Sequence, residues 1–364
     1  MSPFGEFLDR FFGRRAWAVT VPTFDGPLLP NQRLEEAETL AALDAADNVV
    51  STHKGILVSS GKRLLRIRAD GDMEELASFD QPVTALAAAR GMTAVALDGE
   101  GIVIRGGAYD GAAFKTTGNI NLGCVTALTF LNSDTLLASN GSASTGFSGW
   151  RRDLMQKGCS GSVLKIDLAR RRIELVKSGL AWPAGVATTG SNRIFVSESW
   201  RHRILSIDLN SGEVENVLEH LPAYPARISP AMDAGYWLTF YSTRNQLVEF
   251  ILREDRYRRR MLEEIPEDFW MAPSLSSWNS YREPMQGSQL KQMGVLKPYA
   301  VTRSYGLVVN CDPQMRPLRS FHSRADGRMH GTLAACEHGE DLIIASRGGS
   351  KILRLPDVAG RQRG

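Results

Sequence analysis

Three side chains carry charge or a titratable ring where acid–base or anion-binding chemistry would need it. They are Glu198 in SESW, Arg227 in YPARIS and His330 in RMHGT. A guanidinium clamps a carboxylate through parallel hydrogen bonds, so a Glu198–Arg227 pair would fix an anionic or hydroxylated ligand, or else serve as a structural ion pair. An imidazole titrates near neutral pH, which makes His330 a general acid or base unless backbone groups satisfy both of its nitrogens. A Gly/Ser-rich loop over 140–158 ends in GWRRDLMQKG and offers Trp150, Arg151 and Asp153, either as the rim of a pocket or as a surface latch. Tyr241 joins them as a ligand-binding candidate.

Other chemistries lack their residues. The sequence has no GxSxG elbow, HExxH helix, Walker A loop or GxGxxG fingerprint. The six histidines, His53, His202, His220, His322, His330 and His338, are scattered without metal-ligand spacing. Cys124, Cys159, Cys311 and Cys336 form no CxxC pair. They read as four buried or half-buried free thiols in a reducing cytoplasm.

Composition bounds the answer further. Among 364 residues, 43% are hydrophobic and 23% charged, which excludes a disordered or collagen-like chain. No run approaches the roughly 20 apolar residues of a membrane span. A net charge of +3 is no electrostatic footprint for nucleic acid. Residues 1–15 place Phe4, Phe7, Leu8, Phe11 and Phe12 at helical spacing, with Arg14 and Arg15 at the end. Glu6, Asp9 and Arg10 interrupt any signal-peptide core. This amphipathic helix would lie on an anionic membrane surface, or pack on the protein body or a partner.

The elements that must position these groups are short strands. GILVS (55–59), RLLRIR (63–68) and Val125–Phe130 are typical, each bounded by Gly, Asp or Asn. Val83 and Val125 are 42 residues apart, as are Val186 and Ile228. A period near 40–50 with four strands per unit is the signature of propeller blades. The reading is all-β: a six-bladed β-propeller over 16–356, with the 140–158 loop and a partly helical insertion, 254–302, before the last blade. Residues 357–364 would be a tail. Strand 16–22 (AWAVTVP) is expected to close the ring. EDRYRRRMLEEI reads as a solvated helix, its arginines offset by neighbouring acids. Trp182, Trp200 and Trp237 are expected to pack between blades.

The run GLAWPAGVATTGSNRIFVSESWRHRILSIDL resembles the strictosidine synthase-like branch of six-bladed propellers, related to gluconolactonase, SMP-30 and paraoxonase-type lactonases. FDGPLLPNQRLEEAE is similar to the opening segment of the adipocyte plasma membrane-associated protein-like branch. LPAYPARISPAMDAGYWLTF, LKPYAVTRSYGLVV and the stretch from LRSFHSRADGRMHG to SKILRL resemble its last two blades. The likeness spans about residues 20–356 in order.

The resemblance implies an axial pocket for a small molecule. In the family's lactonases the pocket holds calcium, through an acid in the first blade, an Asn in a PNG turn and an Asp in a YPD turn. Here the first position matches Asp47, followed by Asn48, but the other two match Ala184 and Ala226, with Arg227 next. Hard cations need several oxygens, so no metal cofactor is expected. Strictosidine synthase activity requires a carboxylate near the start of the last blade. The likeness places Thr332 there, and Thr332 cannot act as that base. Two functions therefore stand. One is an ester- or lactone-type hydrolase using Glu198, Arg227 and His330, with Asp47, Asn48, Trp150, Arg151, Asp153 and Tyr241 around the ligand. The other is a non-catalytic ligand-binding or scaffold propeller associated with a membrane or partner protein.

Overall fold

Short runs of Ala, Val, Ile and Leu between turn residues give strands that are nearly all buried along the inner part of each sheet. A computed structural model describes residues 21–358 except 69–70, 117, 119, 278, 281, 285–290, 293–294 and 297–302. The expected helix at 1–15 and most of the strand at 16–22 lie outside the described residues.

Four antiparallel sheets have four strands each. The first contains Ala46–Thr52, Gly55–Ser60, Arg63–Ile67 and Met73–Ser78. The second contains Val83–Ala89, Met92–Leu97, Gly101–Arg105 and Ala113–Phe114. The third is Val125–Phe130, Thr135–Asn140, Gly161–Asp167 and Arg172–Leu180, and the fourth Pro183–Thr188, Arg193–Glu198, Arg203–Asp208 and Val214–Leu218. An eight-stranded sheet supplies the rest of the ring, and two four-stranded halves meet in it at the pair Phe240↔Thr332; a two-stranded ladder, Lys291–Gln292 with Val295–Leu296, lies in the later insertion. One half holds Ala223–Pro230, Tyr236–Thr243, Leu307–Cys311 and Pro317–His322. The other holds Thr332–His338, Asp341–Ser346, Lys351–Leu355 and Glu38–Ala42.

The first strands of successive units neighbour one another in a closed ring, the last against the first. This is a β-propeller. Its core lies between the sheets. One apolar cluster joins Ala94 and Ile104 of the second unit to Leu136 and Ile166 of the third, and equivalent clusters fill the other junctions.

The ring closes through Glu38–Ala42, which pairs antiparallel with Lys351–Leu355, Glu38 opposite Arg354 and Ala42 opposite Lys351. Glu38–Ala42 thus holds the edge position expected for 16–22. Only Leu43–Ala45 separate the closing strand from the inner strand of the first unit, so one short turn serves both ends of the ring.

Both insertions follow second strands, and antiparallel pairing places them where inner strands begin. The 140–158 loop contains a helix, α1 (Trp150–Gln156). The later insertion starts earlier than expected, with α2 (Gln246–Arg253), capped by the Asn245 side chain on the amides of Leu247 and Val248. α3 (Asp255–Glu264) falls where EDRYRRRMLEE reads as helical. Its arginines are not all solvated: Arg258 is buried, bonding the Met155 carbonyl and, at 2.7 Å, Asp255. No described helix is long and apolar enough to cross a membrane.

Candidate functional site on the propeller axis

Arg227 occupies the centre of the ring. It sits on the inner strand of the fifth unit. There the backbone of Gly185 comes so close that a Cβ would stand 2.6 Å from the Ala226 carbonyl oxygen. The Ser197 hydroxyl also donates to that oxygen. Directed across the axis, the guanidinium uses all five of its N–H groups. Nε donates to the Thr126 carbonyl at 3.1 Å; Nη1 donates to the carbonyls of Asp47 (2.9 Å) and Leu333 (3.4 Å). Nη2 donates to Asp47 Oδ1 at 2.5 Å and to the Thr84 carbonyl at 2.7 Å. The acceptors belong to the first, second, third and sixth units, so one side chain ties five units together.

Asp47 is 1% exposed and holds a second cation. Its Oδ2 pairs with Arg347 Nη1. Asn48 supports this carboxylate, donating from Nδ2 to Asp47 Oδ1 at 3.2 Å and to Ser59 Oγ at 2.9 Å. The Arg347 side chain keeps 33% exposure. Its backbone N–H bonds the Gly331 carbonyl at 3.0 Å. Sequence reasoning misses Arg347. The available signal is its place directly after a second strand, the position taken by the insertions in two other units.

Glu198 does not reach Arg227, contrary to the expected pair. It is fully buried and bonds Arg203 Nε at 2.6 Å, Arg201 Nη1 at 2.7 Å and the Ala181 amide at 2.8 Å. The reason is register: Glu198 stands opposite Arg203 in the ladder between second and third strands. Thr332 latches the neighbouring half-sheet through Leu307, donating to its carbonyl and accepting from its amide.

Aromatic groups cover the insertion end of the axis. Trp182, at a left-handed φ of 54°, stacks on Trp200 at 5.3 Å and donates its indole N–H to the Tyr241 hydroxyl at 3.1 Å. Trp150 of α1 stacks on Tyr241 at 5.3 Å. Burial pushes the Tyr241 phenol up to about 12. Asp153, also on α1, is buried and accepts from Trp200 Nε1 at 2.8 Å; burial raises its pKa. Arg151 is a brace, with Nε 3.2 Å from Glu267. Trp237 lies apart, bonding Glu337 and stacking on Phe321 between the fifth and sixth units.

His330 lies beside this end, not on the axis. Its Nε2 is 2.8 Å from the Arg324 carbonyl, so Nε2 carries the proton and Nδ1 accepts from Ser304 Oγ at 2.6 Å. Burial lowers its pKa, holding the ring neutral.

At the far end the channel widens into a cavity of about 460 Å³ below Asn48 and Arg227, walled by Leu86, Ala127, Val186 and Ala334.

A divalent cation does not fit this axis. Ala184 and Ala226 supply no side-chain oxygen, two guanidiniums claim the Asp47 carboxylate, and Arg227 occupies the carbonyls. Among the described residues no group of three His, Cys, Asp or Glu side chains is disposed for a metal.

No protein-family model and no curated protein sequence matches the chain. Solved structures do. A gluconolactonase from Xanthomonas campestris superposes with a TM-score of 0.55 at 13% identity, over 87% of this chain and 88% of that one. Regucalcin from Agrobacterium tumefaciens, described as a calcium-binding protein, gives 0.56 at 9% identity, over 89% and 95%. A luciferin-regenerating enzyme gives 0.54 at 11% identity, over 88% and 93%. The likeness is one of fold.

Proposed function

We propose that the chain is a six-bladed propeller of the SMP-30/gluconolactonase superfamily, in its strictosidine synthase-like branch. In this reading it hydrolyses an ester or lactone of a small molecule at the insertion-bearing end of the axis. The observation that carries the reading is the Asp47–Arg347 pair: a buried carboxylate aims a guanidinium that is still one-third exposed. One anionic group against two guanidiniums leaves a net positive charge beside the axis. Attack on an ester carbonyl builds negative charge on its oxygen, and a pre-aimed N–H donor stabilises that charge most where water is excluded. Arg347 would do so without a metal. Arg227, its donors all engaged, sets the geometry instead. The protein would act in the cytoplasm, with the 1–15 segment as a peripheral membrane or partner contact.

The test is hydrolysis of a panel of lactones and aryl esters by the wild type, Arg347→Ala and Arg347→Lys. A loss of about 10²–10³ in kcat for Arg347→Ala, with folding intact, supports the reading. No hydrolysis across the panel favours the second reading, a ligand-binding or scaffold propeller. The burial of the hydrogen-bonded Trp182–Tyr241 pair supports that alternative.

A further inference from the structure

We propose that the Ser277 hydroxyl is a nucleophile, activated through a hydroxyl relay that runs from Ser277 through Ser304 to His330. Its substrate rests on the hydrolase reading above; its reactivity does not.

Ser277 Oγ lies 2.5 Å from Ser304 Oγ, and Ser304 Oγ lies 2.6 Å from His330 Nδ1. The Arg324 carbonyl on Nε2 fixes the tautomer, so the chain has a direction. Ser277 donates to Ser304, and Ser304 donates to the lone pair of Nδ1. A nucleophile in reach of a base that a third group orients is the general arrangement for activating a serine. Here a second hydroxyl stands between the two. Burial is graded along the relay: Ser277 is half-buried, while Ser304 and His330 are at most 1% exposed. The reactive end faces outward and the base is shielded from water.

The surrounding backbone holds this alignment. The Ser274 amide bonds the Arg303 carbonyl at 2.8 Å, laying the 274–277 segment along residue 304. The Leu275 carbonyl oxygen rests on Gly331 and Gly348, where added Cβ atoms would come within 2.8 and 1.9 Å of it. Only glycine permits that approach. The Gly348 amide bonds the His330 carbonyl at 3.0 Å, and Arg347 bonds Gly331. The relay and the axial guanidinium thus share one backbone junction.

In the reaction, Ser277 Oγ forms a bond to the carbonyl carbon while its proton passes to Ser304 and the Ser304 proton passes to His330 Nδ1. The ester C–O bond breaks, and the leaving oxygen takes a proton back along the relay. Water then attacks the acyl-Ser277 ester by the same transfers, releasing the acid and restoring the hydroxyl. A lactone differs only in that its leaving oxygen stays tethered to the acyl group.

The test treats the full chain with an alkyl fluorophosphonate and maps the adduct by peptide mass spectrometry. The expected result is one adduct, on Ser277, absent in Ser277→Ala. Labelling should slow by about 10²-fold or more in Ser304→Ala, a small buried change that breaks the relay and spares the nucleophile. His330→Gln should remove the pH dependence of labelling; circular dichroism checks both folds. A folded wild type without a Ser277 adduct, or an unchanged rate in Ser304→Ala, overturns the proposal. So does hydrolysis of lactones or esters that survives Ser277→Ala, which leaves the hydrolase reading standing. Labelling of Ser277 without turnover of any ester or lactone upholds the nucleophile and overturns the substrate reading.

Discussion

Asp47 and Arg227, 180 residues apart in sequence, meet at the centre of the ring with Oδ1 2.5 Å from Nη2. Around this contact the guanidinium satisfies backbone carbonyls that face the axis, and unpaired carbonyls there would be costly. The arginine does with covalent attachment what a bound cation would do by coordination.

Arg227→Ala therefore removes a structural centre. It leaves Asp47 with one cation and strips the carbonyls of Thr84, Thr126 and Leu333 of a donor. Breaking one partner of a buried pair costs about 3–5 kcal/mol, and that loss is expected in urea unfolding. Arg227→Lys should recover part of it, since an ammonium brings three donors to five acceptors. EDTA should leave the wild-type Tm unchanged. A Tm lowered by chelation and restored by calcium would show that the arginine does not replace the cation.

The cysteines differ more than their spacing suggests. Burial pushes Cys124, Cys311 and Cys336 up to about 12, whereas Cys159 is exposed beyond α1. The thiolate is the reactive form. Native protein should titrate one thiol with a disulfide reagent, and protein in guanidinium chloride should titrate four. Cys159→Ser should abolish the native signal. Fast labelling of a second thiol would mean that a sheet junction opens readily.

His322 makes stability depend on pH. It is fully buried between the Tyr305 hydroxyl and Ser320, and desolvation lowers its pKa from 6.5 to about 4. Between pH 6.5 and 4 the unfolded chain takes up a proton that the folded chain refuses. The stability is therefore fully present above pH 6.5 and falls as pH drops toward 4, by on the order of 3 kcal/mol from this group. Urea midpoints at pH 7.5, 6 and 4.5 should decline, and His322→Gln should decline less. Equal slopes in the two proteins would place the effect elsewhere.

Much of the architecture is legible because blades repeat. Val83 and Val125 both begin inner strands, and the stretch from Pro183 to Leu218 forms the four-stranded unit that its turn residues indicate. The site is less legible because a ring joins residues by angle around an axis, not by order along the chain. Glu198 lies in the unit next to Arg227, yet ladder register gives it to Arg203, while Arg227 crosses the ring to Asp47. Arg347 follows an unremarkable strand, and nothing local to Ser277 or Ser304 marks them before the chain brings them to His330. The closing strand, Glu38–Ala42, is missed in the sequence; its nearness to the first inner strand is the signal that marks it.

Asp153 offers a separate test of the aromatic cover. Its carboxyl is buried against Gly158, where a Cβ would stand 2.3 Å from Oδ1, and it takes neutral donors from Trp200 and Ser142. No ion pair to it is found among the described residues. Desolvation raises its folded pKa above the ordinary carboxyl value of 3.8. As pH rises from there, the unfolded chain releases its proton first, so the folded state carries a penalty that is complete once the buried group ionises. Asp153→Asn keeps the shape and the acceptor for the Trp200 indole but removes the charge. Its Tm should exceed that of the wild type at pH 7 and converge with it near pH 3. Asp153→Ala should instead lower the Tm, because the half-buried Trp200 indole N–H loses its acceptor, a change worth about 1 kcal/mol. Should Asp153→Asn prove less stable at pH 7, the carboxylate charge is itself a holding element, and the α1 cover is fastened electrostatically instead of by packing.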